Sequence, residues 1–203
     1  MDSTDSATLG LEDPAFRIAT AEDVEALVSL INAAYRGESS RQGWTTEADL
    51  LDGLRTDRDM LLKILAAADS VIVLYETGQQ LLGSVHLQRE GSKASLGMLA
   101  VKPDLQGQGI GTSLLMAAET HAASIWPIHR MAIRVIDCRA ELLAFYQRRN
   151  YRLTGDSEVF PENPRLWQPK VKALRLLTLE KTIKLSGKIP LHNEGKASRK
   201  LRQ

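Results

Sequence analysis

Leu96-Gly97-Met98-Leu99-Ala100-Val101-Lys102-Pro103-Asp104-Leu105-Gln106-Gly107-Gln108-Gly109-Ile110-Gly111 joins an apolar stretch to the start of an amphipathic one. The pattern predicts a strand over Leu96–Val101. After the glycines it predicts a helix with Ile110, Leu114, Ala117, Ala118, His121, Ala122 and Ile125 along one stripe, stopped before Pro127. A glycine has no Cβ to keep a ligand off the backbone, and the first amides of a helix have no partner within it. The join therefore reads as an anion-binding turn in which the main chain is the functional group and Gln106–Gly111 its scaffold. A Walker loop would need Gly-Lys-Ser/Thr, but Gly111 is followed by Thr112 and Ser113. The dinucleotide fingerprint wants G-x-G-x-x-G, whereas these glycines fall at alternate positions after Pro103. Taken alone, the loop also fits a purely structural turn, so residues elsewhere must decide.

Downstream, Met131–Ile136 predicts a buried strand and Arg139–Arg149 a helix carrying Leu142, Leu143, Phe145 and Tyr146, with Asn150–Leu153 as a return strand. The Gln-Gly-x-Gly-x-Gly loop after Leu99-Ala100-Val101, together with this strand–helix–strand, resembles the GNAT superfamily of N-acetyltransferases. In that superfamily the helix ends in a Leu/Phe-Tyr pair followed by Gly-Phe or Gly-Tyr. The counterparts are Phe145-Tyr146 and Asn150-Tyr151, with Asn in place of Gly at a left-handed helix end. The resemblance covers most of Phe16–Lys181. It implies a mixed α/β fold: a twisted, mostly antiparallel sheet of about six to seven strands flanked by about four helices.

The rest of the chain supplies matching elements. Phe16–Ile18 alternates like a short strand, Thr20 and Asp23 form a variant capping box, and Val24, Leu27, Val28, Ile31 and Ala34 share a helical face. A second helix is expected from Thr45 or Thr46, carrying Leu50, Leu51 and Leu54 inward, and a third over Met60–Ala67. Ser70–Glu76 and Gln80–Gln88 read as strands, followed by a turn at Glu90-Gly91-Ser92. Pro161, Pro164 and Pro169 mark Gly155–Lys170 as a loop, and Lys172–Lys181 alternates enough for a final strand.

The chain has 203 residues, 43% hydrophobic and 25% charged, which suits one domain with a full core. Residues 1–14 read as a flexible polar lead, 15–182 as the domain and 183–203 as a basic disordered tail. In the tail six basic residues face Glu194 alone; a solvated tail is the plain reading, an RNA- or membrane-surface anchor the sharper one. A net charge of +1 gives no overall field for nucleic acid, and no apolar run approaches the roughly 20 residues of a membrane span. The start carries no secretory signal pattern, and Cys138 is the single cysteine, so the expected compartment is the cytoplasm. No metal is expected, and homodimerisation stays open.

The resemblance also implies roles. Leu99, Ala100 and Val101 would offer backbone groups to the pantetheine arm of acetyl-CoA. Gln106, Gly107, Gln108, Gly109, Ile110, Gly111 and Thr112 would cradle its pyrophosphate. Arg139 stands where many members have an asparagine touching the arm, which leaves open a contact to phosphate or carboxylate. Tyr146 would protonate the departing thiolate, since a phenol near pKa 10 is protonated at neutral pH; a plain core tyrosine is the alternative. Cys138 reads as a small buried hydrophobe. Many relatives carry a glutamate before the glycine loop, but Ser95-Leu96-Gly97-Met98 has no acid. Glu76, His86 and Glu180 could substitute through water, though each also reads as a surface residue. Residues 36–49 would wall the acceptor, with Tyr35, Trp44 and Glu47 as candidates, unless Thr45-Thr46-Glu47 only starts a helix and Trp44 only staples it. The expected function is acetyl-CoA-dependent transfer to a primary amine of a small molecule, peptide or protein. The rival is an acyl-CoA-binding module without turnover.

Overall fold

Alternation along 93–101 is so regular that Ala94, Leu96, Met98 and Ala100 should share one face of a strand. They do not. In the computed structural model, which describes residues 14–78 and 80–183, strand β5 (Lys93–Val101) sends Ala94 and Leu96 into one core layer and Met98 and Ala100 into the opposite one. A one-residue bulge causes the switch. Ser84 pairs with Ala100 and His86 with Gly97, so two steps on strand β4 (Gln80–Glu90) oppose three on β5. Met98 sits at the bulge with φ +47°, a conformation non-glycine residues rarely adopt.

The sheet has seven strands. With β1 (Ala15–Ile18), β3 (Ser70–Thr77), β6 (Arg130–Ile136), β7 (Arg152–Val159) and β9 (Arg175–Thr182), the order is β1-β3-β4-β5-β6-β9-β7. Every pair is antiparallel except β5–β6, whose parallel ladder covers only Lys93–Leu96 against Arg130–Ile133. Beyond Leu96 the two strands part. Leu114 and Leu115 of helix α4 (Ile110–Ile125), with Phe145 and Tyr146 of α5 (Ala140–Gln147), join Val73, Leu87 and Met131 on one face. Leu27 and Ile31 of α1 (Val24–Tyr35) and Leu61 of α3 (Arg58–Ala66) cover Ile72 and Leu74 on the other, and α2 is one turn, Gly37–Ser40. Burying side chains this size contributes about 1.5–3 kcal/mol each, so both layers are needed to hold the sheet. The expected capping box forms, with Thr20 and Asp23 exchanging backbone hydrogen bonds at a 3-10 turn before α1.

Two expectations are corrected. The helix expected from Thr45 is absent: 44–50 is turn and Leu51–Gly53 is a strand, β2, paired with β8 (Trp167–Pro169). Thr46 Oγ1 accepts from the Ala48 amide and bonds to Ser40 Oγ, and the Glu47 carboxylate is ion-paired to Arg36, so the side chains that would have capped a helix are engaged elsewhere. Only Leu51 is fully buried; Leu54 is exposed. Gly155–Lys170 is likewise not all loop, because β7 runs to Val159 and 167–169 is β8. As an edge strand exposed at every position, β7 offers no hydrophobic alternation, and its ladder to β9 alone defines it. Of the expected N-terminal lead (1–14) and basic tail (183–203), residues 1–13 and 184–203 lie outside the described residues, and Ile183 belongs to the domain, its amide bonding the His129 carbonyl (3.0 Å) and its side chain packing on the core.

At Gly53, φ is +87° and an added Cβ would lie 2.1 Å from the Leu166 carbonyl oxygen. Gly53→Ala should therefore lower stability by at least about 1–3 kcal/mol, read as a lower urea midpoint; an unchanged midpoint would mean that the β2–β8 ribbon contributes nothing to the cooperative unit.

Candidate active site

Where β5 leaves β6 a cleft of about 710 Å³ opens, lined among others by Leu99, Val101, Gly107, Gly109 and Tyr146. At its rim the chain turns into α4 through Gly107 (φ +82°) and Gly109 (φ +90°), the latter being the helix N-cap. A Cβ at either glycine would meet nothing within 4 Å, so the outer face of this turn is open. The Gly109 carbonyl accepts from Thr112 and Ser113, while the amides of Gly107, Gln108 and Gly109 find no backbone acceptor among the described residues. Uncovered amides at the positive end of a sixteen-residue helix suit an anion.

The Gln106 side chain faces inward as a strut. Its Oε1 accepts from the Trp44 and Thr45 amides (2.9 and 3.3 Å), and its Nε2 donates to Thr45 Oγ1 (2.8 Å) and the Val101 carbonyl (3.1 Å). This binds the 43–45 turn to the glycine loop, and a Cβ on Gly43 would sit 2.5 Å from Gln106 Oε1. Gln106→Ala leaves two amide donors, those of Trp44 and Thr45, without their acceptor, so the variant should lose about 1–3 kcal/mol and loosen the 43–45 turn, measured as faster amide exchange there. Protection equal to wild type would show the strut to be redundant.

Tyr146 is buried, packed edge-on against Phe145 and Tyr151 at 5.0 and 5.7 Å. Burial, then the neighbouring Tyr35, pushes its phenol pKa well up. The hydroxyl makes no hydrogen bond to another described residue although the side chain lines the cleft. Tyr35 donates to the Leu99 carbonyl at 2.8 Å, next to the bulge, and burial followed by Glu47 raises its pKa to about 12. Ala100 faces Ser84 across the ladder. Ile110, Gly111 and Thr112 form the first turn of α4.

Arg139 is buried and commits its donors to the chain: Nη2 to the Trp44 carbonyl (3.1 Å), Nη1 to that of Thr45 (3.3 Å), and Nε to Glu141. Trp44 lies 5.6 Å from the Phe145 ring, so the 44–45 turn packs along α5 from Arg139, just before its start, to Phe145. Cys138 is exposed, not buried as expected: β6 ends at Ile136, and the following turn, where the Cys138 amide bonds the Asp137 carboxylate, lies outside the core. Sequence reasoning missed Arg149. Its guanidinium lies 3.6 Å over the Phe145 ring and donates to Thr112 Oγ1, while its Nε is buried without a partner among the described residues. That places a cation beside the glycine loop across 37 residues of sequence, a relation no local pattern signals.

Of the three substitute bases, His86 lines the cleft, whereas Glu76 pairs with Arg17 and Glu180 with Lys93 and Arg130 away from it. The cleft's own acids are engaged: Glu47 with Arg36, and Glu90 with Ser95 Oγ (2.7 Å) and Arg134 (3.7 Å). His86 bonds Ser70 Oγ at 2.9 Å, and burial followed by Arg55 lowers its pKa to about 4. The unfolded chain, near 6.5, then binds the extra proton first, so stability should fall as pH drops from about 6.5 to 4. His86→Gln should flatten that slope in urea titrations; an unaltered slope would assign it to other groups.

This fold and cleft define an acetyltransferase scaffold. The family model for the acetyltransferase (GNAT) family matches residues 24–151, and the chain belongs to that family. No curated protein matches the chain in sequence. The ribosomal-protein-S18-alanine N-acetyltransferase of Escherichia coli superposes with a TM-score of 0.64 at 12% identity, over 86% of this chain and 97% of its own. The PaiA N-acetyltransferase of Thermoplasma acidophilum, solved with coenzyme A, gives 0.58 at 19% identity over 84% and 99%. A mutant form of the spermidine N-acetyltransferase SpeG of Vibrio cholerae gives 0.61 at 13% over 83% and 93%. At these identities the likeness is one of fold. No helix among the described residues is long and apolar enough to cross a membrane.

Proposed function

We propose that the cleft binds acetyl-CoA and promotes transfer of its acetyl group to a primary amine by direct attack in a ternary complex. One observation carries the reading: the bulged parting of β5 from β6 opens onto a positive-φ glycine turn whose amides find no backbone acceptor among the described residues, with the unbonded Tyr146 hydroxyl in the same cleft. The residues fit the cofactor. Open space where a Cβ would stand at Gly107 and Gly109 admits a pyrophosphate to the backbone, Arg149 adds a cation, and the free edges beyond Leu96 suit an extended arm. Bound acetyl-CoA supplies a thioester, whose carbonyl carbon gains a bond to the amine nitrogen as its C–S bond breaks and the electron pair leaves with sulfur. Tyr146 gives its hydroxyl proton to that sulfur and is reprotonated from solvent, while the amine's surplus proton passes to water. Burial keeps the phenol in its donor form at neutral pH, and a thiolate in the same poorly hydrated cleft becomes more basic too. Gln106 and Arg139 hold the 44–45 turn in place.

With Glu47 and Glu90 engaged, neither of these cleft acids stands free as a base. Deprotonating a lysine-like amine at pH 7 costs about 4–5 kcal/mol and a peptide's α-amine near pKa 8 about 1, a cost met by the acceptor and water with neither of these acids free to share it. That same shortage is the observation behind the second reading, a binding module without turnover. Acetyl-CoA should raise the melting temperature, and NADH and ATP should not; no shift at millimolar acetyl-CoA removes both readings.

A further inference from the structure

At the acceptor end one cation has no counter-ion among the described residues. Arg36 is paired with Glu47, Arg134 with Glu90 and Glu158, and Arg139 with Glu141, and Arg149 sits at the glycine loop. Arg55 lines the same cleft half-buried, and among the described residues no carboxylate lies within 4.0 Å of it. The surroundings position it. Asn32 Oδ1 accepts from the Arg55 and Thr56 amides (2.7 and 3.3 Å), and Asn32 Nδ2 donates to the Thr56 carbonyl (3.0 Å), which clamps the backbone. The guanidinium lies 5.7 Å over the Tyr35 ring, whose hydroxyl is anchored to Leu99 beside the bulge. His86, close enough to feel the charge of Arg55, pairs with Gly97 on the side of the bulge away from the glycine loop. Arg55 thus lines the cleft against Tyr35, which is tied to Leu99 at the bulge, whereas Arg149 is the cation bonded at the anion-binding turn. His86 stays neutral there, and the cleft acids Glu47 and Glu90 are spent on other arginines.

We infer that Arg55 binds the carboxylate of the acceptor, so that the substrate is a small amino acid presenting its amine toward the bulge. This rests on the acetyl-transfer reading. A planar guanidinium seated on an aromatic ring offers the fork that a carboxylate fills, and a polycation meets an unopposed positive charge. The geometry thus points away from polyamines.

The experiment compares amino acids with their amides and with spermidine, reading thiol release from acetyl-CoA. Wild type should favour the acid over its amide about 10²-fold in kcat/KM, and Arg55→Met should bring that ratio toward unity, with Arg55→Lys in between. Retention of the acetyl-CoA melting shift in Arg55→Met shows that the variant is folded. Equal use of acid and amide, or a preference for spermidine or for peptides without a nearby carboxylate, overturns the inference while leaving acetyl transfer intact. Calorimetric binding of the same amino acids to the coenzyme A-loaded protein is the second readout. Binding by wild type and not by Arg55→Met supports the inference even where no amine is turned over, a result that would remove the transfer reading alone. Equal binding by both overturns it.

Discussion

Tyr146→Phe should lower kcat by about 10²- to 10⁴-fold, the usual worth of general acid assistance, while acetyl-CoA affinity changes little. The substitution isolates one proton. The ring keeps its edge-on contacts with Phe145 and Tyr151, and because the hydroxyl bonds no other described residue, its loss leaves no described partner unsatisfied. Stability should therefore stay close to wild type, which separates this variant from those that merely loosen the core. Since burial raises the phenol's pKa, no wild-type activity should be lost through Tyr146 ionising below about pH 10. A loss of kcat below threefold, with chemistry shown to be rate-limiting, removes Tyr146 from the reaction.

Gly109→Val should abolish acetyl-CoA binding in a protein that still folds. At φ +90° a β-branched residue is strained, costing on the order of 1–3 kcal/mol. Its Cβ meets no atom within 4 Å beyond the adjoining chain, so the fold has room for it. An isopropyl group on this open face of the turn takes up space that a phosphate needs to reach the unpaired amides. Acetyl-CoA at one hundred times its wild-type dissociation constant should stabilise wild type by about 2.7 kcal/mol and the variant not at all. An undiminished shift would make the loop a structural turn only.

The turn that holds Gly109 and the helix that holds Tyr146 could be read from the sequence because their signals are local, while the tyrosine's role came only as what the family resemblance implies. The glycine spacing after an apolar strand marked the turn, and helical periodicity placed Tyr146 beside Phe145 on a core-facing stripe. The bulge was not legible, since alternation continues unbroken through Met98 and only the pairing register shows the change of face. Nor was the reach of β7 beyond Leu153, since its edge position removes the apolar alternation that reveals an inner strand. The 45–54 segment misled because Thr and Glu at a helix-like spacing were read as caps, when tertiary partners, Ser40 and Arg36, claim them. Arg55 and Arg149 are the sharper case. An arginine's role depends on which carboxylates and rings the fold brings near it, and Tyr35 and Thr112 are 20 and 37 residues away in the chain.

The central claim is that this cleft transfers an acetyl group and does more than hold its donor. The most direct measurement is thiol release from acetyl-CoA across a panel of primary amines, with the acetylated amine quantified by mass spectrometry in the same samples. Wild type should release one thiol per acetylated amine, only when an acceptor is present, and Tyr146→Phe should suppress both together. A melting shift with acetyl-CoA but no amine-dependent thiol and no acetylated product from any acceptor would contradict the account and leave an acyl-CoA-binding module in its place.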